Sequence, residues 1–539
     1  MTDSDSVARN SAWMALGTIV SRITGFARLY LLAFTIGTHL DADLFSNANT
    51  LPNTLYILVA GGVFNVVLVP QMVRAMKRDP DGGEAYVNRV MTLGLLVLAV
   101  ATVVLMAAVP LLMHVIFDGL LFTARFEEQY ASARFLMLLC MPQVFLYGAF
   151  VLLGQVLNSR GVFGPMMWTP IANNLVALSM LGTYLAVFGS SDDIDGFTGA
   201  QAALLGLGST FGIAVQAALL VPFLRRAGFH FRPRFDFRHT GLGHTLRLGA
   251  WTLGFIIANQ VAYIVVQRLG VEATLEGGRA AAGSAVYEIG YLASQVPHGI
   301  VTVSLATALI PTLSALAADR SFEEFGQQLA SALRVVLAVI GPLAVAAAIL
   351  GPSAIQAVAF GGLRANAYAI GWTVAAFGPA MVFFAVHYMM LRGFYAMENT
   401  RTPFFIQVVV ALTNIAAALT LTSLVRPQNV SIALALAFGL SYLVGATLSA
   451  LLLPRTTVFG PEMRLFLVRL AIACIGAALV MLAVLTGLQA SGVPADTPAR
   501  ALGLIALAGP AGAATYLLLS RVVGLTELAS VVSALRRRG

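Results

Sequence analysis

The chain has 539 residues, 59% of them hydrophobic and only 10% charged, and its net charge is +8. A soluble domain carries about a quarter charged residues, so the composition excludes a string of water-soluble domains and assigns the length to membrane spans. Its two cysteines, Cys140 and Cys474, lie in apolar runs and read as small core residues, against a disulfide framework or a metal site.

Met1 to Asn10 is polar and leads directly into a full-length apolar span, unlike the short apolar core of a cleavable signal. A span needs roughly 20 mostly apolar residues. By that measure the sequence predicts about fourteen transmembrane helices. They lie near 11–36, 48–73, 90–116, 132–158, 162–188, 200–224, 246–269, 283–314, 331–350, 368–391, 403–424, 430–453, 466–487 and 500–520. The eighth run contains Pro297 and is expected to kink. The Gly-rich stretch 351–367 is expected to be interfacial. The fold class is therefore all-α integral membrane.

Basic loops stay cytoplasmic. The loop after span 2 holds Arg74, Lys77, Arg78 and Arg89, and that after span 6 holds Arg225, Arg226, Arg232, Arg234, Arg238 and Arg247. The alternate loops are poor in basic residues and include Asp41 with Asp43 and the run Asp192, Asp193 and Asp195. Roughly 23 of the 32 basic residues fall on one side and about six on the other. Both termini are thus expected in the cytoplasm. The charge fits contact with anionic lipid headgroups and forms no continuous surface for nucleic acid.

Two halves repeat at an offset of 241 residues: Asn65 to Pro70 against Ala306 to Pro311, Asn158 and Arg160 against Asn399 and Arg401, and Asn173 against Asn414. Six spans separate each pair, so the copies share one orientation. Such parallel repeats form two lobes with a substrate site between them. The expected divisions are 1–240, 241–455 and 456–539, the last holding two spans outside the repeat and a basic tail.

Span 1 carries Ser21, Arg22, Gly25 and Arg28. A buried arginine costs at least about 2.5–3.5 kcal/mol at a helix centre, which makes it a functional candidate. Six positions place Arg22 and Arg28 about 120° apart on a straight helix, so sharing one wall calls for a bend, as at Gly25, or a cavity that wraps the helix. The planar guanidinium suits phosphate; the alternative reading is a structural pair with Asp43. The stretch Asp41 to Pro70 is rich in Asn and Pro, which suits a cavity-lining, bent helix, with Gly61-Gly62 as a close approach or hinge. In spans 7 and 8, Arg268 and Glu288 read as a salt bridge. His387 in span 10 reads as a packed or hydrogen-bonded residue. No nucleotide-binding loop, metal motif or nucleophile constellation occurs, so neither a catalytic residue nor a metal site is assigned.

These residues resemble the MurJ (MviN) family of lipid II flippases, within the multidrug/oligosaccharidyl-lipid/polysaccharide exporter superfamily. The resemblance rests on Ser21-Arg22, Gly25-Phe26 and Arg28; Ala42-Asp43 and Phe45; Leu51-Pro52-Asn53; Gly62-Val63-Phe64; Gln295, Pro297-His298-Gly299; and Asn399, Arg401 and Pro403. The Gln-x-Pro-His-Gly form is similar to the actinobacterial branch. The resemblance implies two six-helix lobes plus two C-terminal helices, with lipid II (undecaprenyl-diphosphate-linked muropeptide) as substrate. It further implies no cofactor beyond coupling to membrane potential or a monovalent cation, a monomer in the bacterial inner membrane, and membrane lipids and cell-wall synthesis proteins as neighbours. The implied substrate-binding set is Arg22, Arg28, Asp43 and Asn53, with Ser21 beside them. Two family arginines are replaced, by Tyr56 and Leu292, and Arg268 is the candidate to compensate. The rival readings are a flippase for another polyprenyl-diphosphate-linked glycan, a drug/cation antiporter, against which the span 1 arginines argue, and a non-transporting scaffold for cell-wall enzymes.

Overall fold

The computed structural model describes residues 3–58, 72, 81, 83–190, 195–236, 242–359, 361–453, 458–490 and 498–527. The expectations for Gly61-Gly62, Asn65 to Pro70, Arg74, Lys77, Arg78, Asp192, Asp193, Arg238 and the terminal arginines fall outside them. Every regular element among the described residues is helical, because a helix satisfies its own backbone hydrogen bonds where lipid offers none. Twelve helical stretches among them are long and apolar enough to cross a membrane, and they coincide with the expected third to fourteenth spans. α1 (Asp3–Ile36) covers the residues expected for the first span, and α2 (Leu40–Tyr56) covers the start of those expected for the second.

The chain divides into two compact units, Met1–Gln260 and Val261–Gly539. The first continues with α3 (Glu84–Ala107), α4 (Val109–Ile116), α5 (Glu127–Cys140), α6 (Gln143–Ser159), α7 (Gly164–Phe188), α8 (Gly199–Ala218) and α9 (Leu220–Arg226). Here α1 packs on α7, α7 on α8, and α2 on α5 and α6. The division falls inside α10 (Leu242–Gly277), where the sequence breaks place it at 240.

The second unit contains α11 (Ser284–Pro297), α12 (Val303–Ala318), α13 (Phe322–Val358), α14 (Ala367–Ala396), α15 (Arg401–Ser423), α16 (Val430–Leu452), α17 (Pro461–Ala490) and α18 (Pro498–Val522). The eighth span changes winding at its proline: Pro297 is followed by a π turn over His298–Thr302, and α12 resumes after it. Within the stretch 351–367, α13 continues to Val358 and 361–364 forms a short 3-10 turn. The packing there is close. A Cβ at Gly351 would lie 2.9 Å from the Gly371 carbonyl oxygen, and one at Gly371 would lie 2.6 Å from Pro352 Cα. The two backbones touch there, as small residues allow between membrane helices. The last two spans belong to this unit: the Tyr516 hydroxyl donates to the Ala338 carbonyl at 2.6 Å, and Leu350 packs with Met481, Leu485, Leu504 and Ala508.

Candidate substrate site

The site builds from α1. Thr24 Oγ1 bonds back to the Val20 carbonyl at 2.9 Å, the usual way a membrane helix satisfies a hydroxyl. From α7, Asn174 Nδ2 donates to the Ser21 carbonyl at 3.1 Å and to Thr24 Oγ1 at 3.0 Å. These bonds hold the arginine-bearing stretch of α1 against its neighbour. The helix runs uninterrupted through Gly25. Arg22 is exposed and Arg28 half-buried, so the two occupy different surroundings, as six helical positions require. Among the described residues neither arginine has an ion-pair partner, Asp43 included.

The second helix contributes Asp43, Asn53 and Tyr56. Asp41 and Asp43 occupy its first turn, where a helix N-terminus favours negative charge. Both are buried. Asp41 Oδ1 accepts from the Gly196 amide at 3.0 Å, and the Asp43 carbonyl accepts from Asn47 Nδ2 at 2.8 Å. Further along, Gln143 Nε2 donates to Asn49 Oδ1 at 3.2 Å and to Thr210 Oγ1 at 3.3 Å, a polar link joining α2, α6 and α8. Pro52 sits inside α2, and Asn53 follows half-buried, its carbonyl accepting from the Ile57 amide.

Tyr56 is only 4% exposed, and among the described residues its hydroxyl has no hydrogen-bond partner. Its ring stacks on Tyr147 of α6, and Tyr147 interacts electrostatically with Arg28. The structure thus links Arg28, Tyr147 and Tyr56 from three helices. Tyr147 and Asn174 are the members that sequence reasoning missed. Nothing in their own neighbourhoods marks them, since their partners lie on other helices.

Arg268 lies half-buried in α10, in the second unit. Beside it, Gln267 Nε2 donates to the Tyr263 hydroxyl at 2.6 Å and to Glu288 Oε1, and the Tyr263 hydroxyl donates to the same Glu288 oxygen at 3.0 Å. Tyr263 escaped the sequence reading, although its four-residue spacing from Gln267 puts both on one helical face. His387 is packed as expected, its Nδ1 lying 2.8 Å from Ser449 Oγ. Leu292, where the family resemblance expects an arginine, is 42% exposed on α11.

Guanidiniums without a carboxylate on a membrane helix are suited to an anionic group, and their forked donors fit a phosphate. With a two-unit, many-span helical fold, they define a polytopic membrane transporter. The sequence matches the family described as Lipid II flippase MurJ over residues 32–502, and the chain belongs to that family. It is 26% identical over 414 residues to a probable lipid II flippase MurJ of Haemophilus influenzae, covering 74% of this chain and 77% of the relative. A probable lipid II flippase MurJ of Rhizobium tropici is 26% identical over 424 residues, covering 78% and 76%. The fold is similar to that of a solved lipid II flippase MurJ in an inward closed conformation, with a TM-score of 0.71, 18% identity and coverage of 94% and 98%. It is also similar to an inward-facing MATE family transporter of the MOP superfamily, with a TM-score of 0.59, 12% identity and coverage of 80% and 93%.

Proposed function

We propose that this protein carries lipid II from the cytoplasmic to the outer leaflet of the bacterial inner membrane by alternating access, with both termini in the cytoplasm. The observation that carries the mechanism is the absence of an ion-pair partner for Arg22 and Arg28 among the described residues. An unpaired cation in a membrane helix is costly, and a diphosphate supplies the missing charge. Arg22 and Arg28 clamp the diphosphate in a cavity that wraps α1, and Ser21, Asp43, Asn53 and Tyr56 shape the surrounding wall. The prenyl tail stays in lipid while the headgroup crosses. Membrane potential or a monovalent cation drives the cycle, and the working unit is a monomer.

Complementation tests this reading. A bacterial host depleted of its own lipid II flippase would express the chain, Arg22→Ala or Arg28→Ala, with growth and outward exposure of lipid II followed. Rescue by the wild type, lost in both variants at normal membrane levels, supports the clamp. Rescue retained in both discards the clamp and keeps the flippase. No rescue by the wild type in any host favours another polyprenyl-diphosphate-linked glycan, a reading supported by Tyr56 and Leu292 standing where the family resemblance expects arginines, or a scaffold role.

A further inference from the structure

The segment after α9 is strapped onto the start of α3. The Arg232 amide donates to Asn88 Oδ1 at 2.8 Å and the Arg234 amide to Thr92 Oγ1 at 3.0 Å. Asn88 and Thr92 are four apart and lie on one helical face. The two amides are two apart and point the same way, as in extended chain. Pro233 between them has no amide to leave unsatisfied. The strap ends at an ion pair, with Arg89 Nε 2.8 Å from Asp236 Oδ2. Three side chains of α3 thus hold the segment at Arg232, Arg234 and Asp236, in a stretch that also carries Phe231 and Phe235.

These two rings and the arginines are presented outward. Phe231 is 41% exposed and Phe235 68%, and Arg225, Arg226, Arg232 and Arg234 are all exposed. Few acids oppose them. Asp236 is engaged by Arg89, and Asp81 accepts from the Gly83 and Ala85 amides at the start of α3. Arg234 feels both carboxylates, and Glu84 is exposed nearby, so the net positive charge rests on Arg225, Arg226 and Arg232. The strap also lies at a defined depth. It joins the end of one span, Gly199–Arg226, to the start of another, Glu84–Ala107. The latter helix is about 36 Å long at 1.5 Å per residue, against a hydrocarbon core of about 30 Å, which puts its first turns at headgroup level.

We infer that the 225–236 segment is a docking surface for the anionic headgroups of the leaflet it faces, with its rings seated at the interface and its guanidiniums on lipid phosphates. Basic residues near an anionic leaflet each gain about 1 kcal/mol, and exposed rings beside them favour the interface. That the leaflet is the cytoplasmic one rests on the orientation proposed above.

The test uses the full chain in vesicles with brominated acyl chains, carrying Phe231→Trp, with the signal of the four native tryptophans subtracted. With 30% phosphatidylglycerol, quenching at position 231 should be at least twofold greater than in pure phosphatidylcholine. Arg225→Gln, Arg226→Gln and Arg232→Gln together should abolish that difference. Asn88→Ala with Thr92→Ala, which releases the strap and keeps every charge, should at least halve it. If Phe231→Trp fails to fold, Phe235→Trp gives the same readout. Equal quenching in both lipids, quenching in neither, or a difference that survives the triple variant overturns the inference. The surface would then be left to a protein partner. No lipid II is present, so failure here leaves the transport reading standing, and failed complementation leaves this one standing.

Discussion

Tyr56 stacks on Tyr147 with ring centroids 6.4 Å apart and planes 24° from parallel, joining α2 to α6. Among the described residues the buried Tyr56 hydroxyl meets no acceptor. Tyr56→Phe should therefore leave unfolding in detergent within about 0.5 kcal/mol of wild type. If the hydroxyl donates to the substrate diphosphate, lipid II exposure should fall about tenfold, the value of one hydrogen bond to a charged group. Unchanged exposure would assign Tyr56 to packing alone.

Arg22 and Arg28 lack ion-pair partners among the described residues, so neutralising them should not destabilise the fold. Arg22→Lys should still impair transport by about tenfold or more, because an ammonium cannot reproduce two parallel donors to one phosphate. Rescue kinetics at matched membrane levels check this, and normal transport by the lysine variant would refute bidentate clamping.

Asn174 makes two bonds to α1, at Ser21 and Thr24. At about 0.5–1.5 kcal/mol per net hydrogen bond, Asn174→Ala should cost about 1–3 kcal/mol. The check is a melting curve in detergent beside a transport assay. Loss of transport larger than the loss of folded protein would show that the bonds position the arginines.

Glu288 accepts from Tyr263 and Gln267. Glu288→Leu strands two donors and should destabilise the second unit by about 2 kcal/mol or more. Glu288→Gln keeps one acceptor oxygen and should cost less. Equal stability of the two variants, read by thermal unfolding, would remove Glu288 from this network.

The hydrogen bond from Arg89 holds the Asp236 carboxyl below its usual range, with the nearby charges of Arg89 and Arg234 acting in the same direction. A depressed pKa contributes stability that is complete above the unfolded value, about 3.9, and is lost as pH falls through the folded value. The strap should therefore hold unchanged from pH 7 to 5 and loosen only in stronger acid. Hydrogen exchange at the Arg232 and Arg234 amides, compared with Asp236→Asn, measures this. A wild-type strap already loosening near pH 6 would point to a different titrating group.

The spans were legible because hydropathy is local: a run of about 20 apolar residues needs no knowledge of its neighbours. Pro297 likewise marked the π turn that follows it, since a missing amide disrupts the helix wherever the helix sits. The close approach of Gly351 to Gly371 was not legible, because its partner lies twenty positions on and only packing brings the two backbones together. The repeat drew attention to Asn173, yet Asn174 bonds α1. One residue turns a helix by about 100°, and only packing says which face meets which neighbour. Asn173 instead faces α8, where a Cβ at Gly212 would lie 2.4 Å from its Oδ1.

Sequence alone determined the membrane class, the spans, the basic loops and the arginines on span 1, each a property of composition or of one segment. Tertiary structure decided that Asn174 of α7 bonds the stretch of α1 that carries those arginines. It also decided that Tyr56 reaches Tyr147, that Tyr263 and Gln267 share Glu288, and that a basic segment is strapped along α3. A hydrogen bond within reach depends on two helices arriving side by side at one depth, and that distance is set by packing across the fold.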